Sequence, residues 1–97
     1  MAIDIYKGTT LVMSVPEDDF LSLEGAQEEL KKRAGRTVDA YATTAIEPEH
    51  ALLWLTGLRR ILPGLKQEPR VRLACEQLIS LLAGATERRE TLVVEGE

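Results

Sequence analysis

Two Glu-Pro pairs, Glu47-Pro48 and Glu68-Pro69, each stand directly before a segment whose apolar residues recur at spacings of three and four. That combination constrains the second half of the chain to a helical hairpin. Proline suits the first helical position, because its missing N–H would be unpaired there and its fixed φ is already helical. Laid out at about 100° per residue, the first segment gathers Ala51, Trp54, Leu55, Leu58, Ile61 and Leu62 on one stripe. The second gathers Val71, Ala74, Cys75, Leu78, Ile79, Leu81, Leu82 and Ala85. Pro63-Gly64 stops the first segment, so helices are predicted over residues 48–62 and 69–85, joined as an αα-hairpin through Leu65, Lys66 and Gln67. The offset of 21 residues between the two pairs brings little further self-similarity, so it reads as shared capping and not as a repeat.

The first half reads differently. Ile3 and Ile5, then Leu11, Met13 and Val15, alternate with polar neighbours across a break at Lys7-Gly8. Period two indicates strands, and residues 1–15 are expected to form a β-hairpin. Pro16 ends the second strand, and Ser14 with Glu17 three residues on has the capping-box pattern of a helix start. A helix is expected over residues 16–34. Acids at Glu17, Asp18 and Asp19 and bases at Lys31, Lys32 and Arg33 suit the two ends of its dipole, and Gly35 suits a left-handed stop. Gly25 weakens its middle and is a point where it could divide. Residues 37–44 read as a third strand with Val38, Ala40 and Ala42 on one face, and residues 91–94 as either a last strand or a tail. The expected fold is therefore a single α+β domain: a small antiparallel sheet, made of the N-terminal hairpin and one or two further strands, packed against an αα-hairpin and one additional helix. At 97 residues the chain has room for one core only.

Composition narrows function by exclusion. The chain holds one Cys and one His, too few for the three or four nitrogen and sulfur ligands of an ordinary zinc site. It has no Gly-rich phosphate loop and no Gly-x-Ser-x-Gly elbow, so no cofactor is implied. No apolar run approaches the length of a bilayer span, the acid at Asp4 is unlike a secretory leader, and the lone thiol cannot form an intrachain disulfide. A cytoplasmic location is the expectation. His50, in the first turn of its helix, has three readings: an ordinary boundary residue, a pH-sensitive contact, or a general base oriented by Asp39, Tyr41 or Glu49. The first is preferred and no catalytic residue is assigned. Cys75, inside an apolar stripe, reads as core; Trp54 reads as a core anchor before a recognition anchor.

What remains is contact surface. Leu53 projects among Glu49, Gly57 and Arg60, and Leu73 lies between Ser80 and Gly84, so two leucines stand on otherwise polar helix faces. Isolated exposed leucines are common, yet Gly57 beside Leu53 permits close approach. Leu53, Gly57, Arg60 and Leu73 are therefore expected to mark the contact face of a non-enzymatic protein-binding or oligomerisation module: an adaptor, regulator, inhibitor or accessory subunit, homodimeric or within a larger assembly. Charge supplies the alternative. Residues 59–72 carry Arg59, Arg60, Lys66, Arg70 and Arg72 against Glu68 alone, a basic tip that could meet nucleic-acid phosphates. A net charge of −4 and the lack of interleaved aromatics weigh against it.

Overall fold

The computed structural model describes residues 2–96. In chain order the elements are β1 (Ala2–Lys7), β2 (Thr10–Pro16), α1 (Glu17–Ser22), α2 (Glu28–Ala34), β3 (Thr43–Ile46), α3 (Pro48–Ile61), α4 (Pro69–Arg88) and β4 (Leu92–Glu95), with 3-10 turns at Glu24–Gln27 and Leu62–Leu65. The strands form one open antiparallel sheet of order β2-β1-β4-β3. Ile3, Ile5, Val15, Thr44, Ile46, Leu92 and Val94 are buried while their neighbours along each strand are half-buried or exposed, so the helices cover one face of the sheet. This is the α+β architecture that the residue patterns predict.

The helical hairpin forms where the two Glu-Pro pairs place it. Both helices begin at the proline, the carbonyls of Glu47 and Glu68 accept from Ala51 and Arg72 at 2.8 Å, and the first helix gives way to the 3-10 turn holding Pro63-Gly64. Ala51, Trp54, Leu55 and Leu58 of α3 and Ala74, Cys75, Leu78 and Leu82 of α4 are buried together, with Phe20 meeting Trp54 edge to face at 6.2 Å between centroids. The α4 helix runs on to Arg88, three residues past the predicted end, and stops at Arg89 with φ +54°.

Three expectations are corrected. The helix over 16–34 is two short helices separated by the Glu24–Gln27 turn; Gly35, at φ +65°, does end the second. The turn is where Ala26 meets α3 and where Gln27 leaves the helix face to serve a neighbouring segment. Ser14 does not cap a helix: its hydroxyl donates to Asp4 Oδ1 at 2.7 Å across the hairpin, and α1 opens behind Pro16 with no side-chain cap. The strand predicted at 37–44 lies at Thr43–Ile46 instead. Val38 and Ala40 are buried as the alternation implies, but the Gln27 side chain takes both backbone groups of Val38, accepting from its N–H at 2.6 Å and donating to its C=O at 3.1 Å. An Asx turn at Asp39, whose carboxylate accepts from Tyr41 N–H at 2.8 Å, then redirects the chain into β3. Of the two readings of residues 91–94, the strand is the one that forms: β4 lies between β1 and β3, with Leu92 and Val94 buried.

Candidate functional site

The four residues expected to share a contact face do not share one. Leu53 is half-buried and packs against the core; the solvent-facing leucine of α3 is its neighbour Leu52, at 49% exposure. Gly57 is buried, and its close approach is to the chain's own backbone, since a Cβ there would overlap the Ala26 carbonyl oxygen. Arg60 donates to the Gly25 carbonyl at 3.0 Å and lies 3.7 Å from Glu28. Gly57 and Arg60 therefore tie α3 to the Glu24–Gln27 turn and α2. Leu73 alone stands clear, at 55% exposure.

Leu73 belongs to a surface that the sequence patterns did not assemble. The α4 helix runs beside β2 in the opposite direction. At one end of the shallow groove between them Pro16 and Val15 lie near Asp19, Arg70, Leu73 and Ala74; at the other, Val12 lies near Ser80 and Leu81. Met13, Ser14 and Gln77 line both halves. A β-bulge explains why β2 is more apolar outside than its alternation implies. The register pairs Ile5 with Met13 but Tyr6 with Leu11, leaving Val12 as the extra residue. Leu11 is thereby shifted from the covered face to the open one, where it is 51% exposed. β2 is also a free edge seven residues long, without Lys, Arg, Asp or Glu, and its only proline is the last residue. The signal that could have found this surface was the absence of charge from Gly8 through Pro16.

The open sheet face carries one further apolar row, Leu11, Tyr6, Val93 and Ala45, placed side by side by strand register. The next row holds Ser14, Asp4, Glu95 and Thr43. Two acids beside four apolar residues make that face a poor match for another acidic surface.

The remaining candidates resolve into local structure. In the basic tip, Arg60, Arg70 and Arg72 face Glu28, Asp19 and Glu76 at 3.6–3.9 Å, so among the described residues only Arg59 and Lys66 of the five stand without an ion-pair partner. His50 Nδ1 lies 3.4 Å from the Arg36 guanidinium, and not against Asp39, Tyr41 or Glu49. Arginine only donates, so that nitrogen acts as the acceptor. Cys75 is buried, donates to the Leu58 carbonyl at 3.5 Å, and its thiol is pushed up to about 11 by burial. Trp54 is interior, with its indole N–H buried and unpaired. An open cleft of about 550 Å³ lies between the Glu24–Gln27 turn and the loop through Tyr41, rimmed by Glu24, Glu28, Asp39 and Lys31. The Glu17 carboxylate raises the exposed Tyr41 phenol above its ordinary value. Among the described residues no group of three or more His, Cys, Asp or Glu side chains is placed to hold a metal ion, and no helix is long and apolar enough to cross a membrane. Comparison with protein-family models, curated proteins and solved structures finds no match to this chain.

Proposed function

We propose that this chain is a small protein-binding module that acts by association, with itself or as an accessory subunit, and not by catalysis of its own. One observation carries the reading: an unguarded seven-residue strand edge lies alongside a face of α4 that exposes Leu73 and whose one charged residue, Arg70, faces Asp19 of the same chain. On a chain in which 29% of residues are charged, an uncharged strand edge with free backbone donors and acceptors favours a protein partner over solvent. A cytoplasmic, reducing setting fits the single buried, unpaired thiol.

Sedimentation across a dilution series tests the reading. The wild-type mass is expected to rise from monomer toward dimer with concentration. Leu73→Glu should raise the dissociation constant at least tenfold, while Leu52→Glu, on the other exposed helix position, should leave it unchanged. A chain that stays monomeric at the highest attainable concentration and also retains no protein partner on affinity capture overturns it.

A further inference from the structure

Resting on that reading, we propose that the occupant of the β2/α4 groove is a second copy of this chain, joined by antiparallel pairing of β2 with the partner's β2. A two-fold axis would pass near Ser14 and Gln77. The groove leucines of α4 are evenly spaced about that point, while Asp19 and Arg70 line the Leu73 end alone. Gln77 and Ser14 line both halves of the groove, with Leu73 four residues to one side on α4 and Leu81 four residues to the other. A two-fold rotation there reverses the helix direction and sets Leu73 of each protomer against Leu81 of its mate, so a single patch serves as both halves of the contact.

Three further features favour this surface over the rest of the chain for contact with a second copy. Each copy carries a net charge of −4, so self-association favours a surface with few acids: the strand wall from Thr10 to Pro16 has none, and the one acid lining the groove, Asp19, lies 3.6 Å from Arg70 of its own chain. The rival apolar row on the open sheet face would bring Asp4 and Glu95 toward their equivalents. The other sheet edge, β3, is only four residues long, whereas β2 has seven, of which residues 12–16 can pair about an axis at Ser14. With the axis normal to the sheet, pairing yields one eight-stranded antiparallel sheet with both helical layers on the same side, so each α4 gains the other as a neighbour. A foreign extended peptide would use the same strand edge but would gain nothing from the symmetric placement of Leu73 and Leu81.

The test is crosslinking at the axis. A residue on a two-fold axis meets itself, so Gln77→Cys in the full chain should form a covalent dimer with a thiol-reactive crosslinker spanning about 8–10 Å, the separation of packed helices. Leu52→Cys, on the exposed side of α3, should not, and wild-type protein controls for buried Cys75. Val12→Lys, which puts a charge on the pairing edge, should raise the dimer dissociation constant at least tenfold. Crosslinking at position 77 together with weakening at position 12 supports the geometry. A dimer that crosslinks through position 52, or persists with neither effect, overturns it while sparing the reading of the chain as an association module. A strict monomer overturns the two-copy arrangement; if a foreign protein then binds and Val12→Lys abolishes it, the groove belongs to that partner.

Discussion

Gly57 is the position at which one absent methyl group sets how two elements meet. Its hydrogen faces the Ala26 carbonyl oxygen, so α3 and the Glu24–Gln27 turn approach backbone to backbone. The obstacle to a side chain is main chain, which cannot swing aside as a flexible side chain does. Gly57→Ala is therefore expected to destabilise the fold by at least about 2 kcal/mol, as overpacking does, read as a lower urea midpoint with an unchanged slope. The same residue shows the limit of reading a helix surface from its wheel: small size was legible as permission for close approach, but the approaching group turned out to be the chain's own turn. Cys75 makes a second residue-scale prediction. Its folded pKa, raised by burial to about 11 from an ordinary 9.0, means that its contribution is fully present below about pH 9 and is lost as pH rises through 11. Stability should fall more steeply over that interval in the wild type than in Cys75→Ala, measured by denaturant titration at each pH, and a thiol reagent at pH 8 should label the native protein only as fast as it opens.

At the scale of elements, the helices of the second half were legible because their determinants are local. Proline at the first helical turn, a 3.6-residue apolar period and a Pro-Gly stop act within one or two turns and need no tertiary partner. The third strand was not, because its location depends on competition. Val38 has the burial of a strand residue, yet its backbone bonds to Gln27, eleven positions earlier, and that pairing consumes the groups a sheet neighbour would have used. Only beyond the Asp39 turn is the backbone free to pair with β4. This last strand carries a prediction of its own. β4 joins β1 to β3, so its inward residues hold the sheet together and do not merely finish it. Leu92→Ala should cost about 2–5 kcal/mol, and in amide exchange the β3 amides should lose protection along with those of β4, while the β1/β2 hairpin is affected least.

For the whole molecule, charge and shape act together. A chain of net charge −4 repels its copies at range, and a contact whose charged groups, Asp19 and Arg70, pair within one protomer offers few ion pairs to offset this. Self-association should accordingly tighten as salt screens the repulsion: the dimer dissociation constant is expected to be several-fold lower at 0.5 M than at 0.05 M NaCl, measured by sedimentation. An ion-paired interface through the basic tip would move the other way. The sequence by itself determined the class of the fold, the helical hairpin and the core stripes, because apolar period and proline placement are encoded in neighbouring residues. Which surface was left over was decided only by tertiary structure. A bulge opposite Tyr6 turned Leu11 outward, the Ala26 carbonyl claimed Gly57, Arg60 was taken by Gly25 and Glu28, and the late arrival of β4 in the middle of the sheet left β2 as a free edge. Each of these depends on contacts between residues far apart in the chain, whose pairing no local pattern specifies.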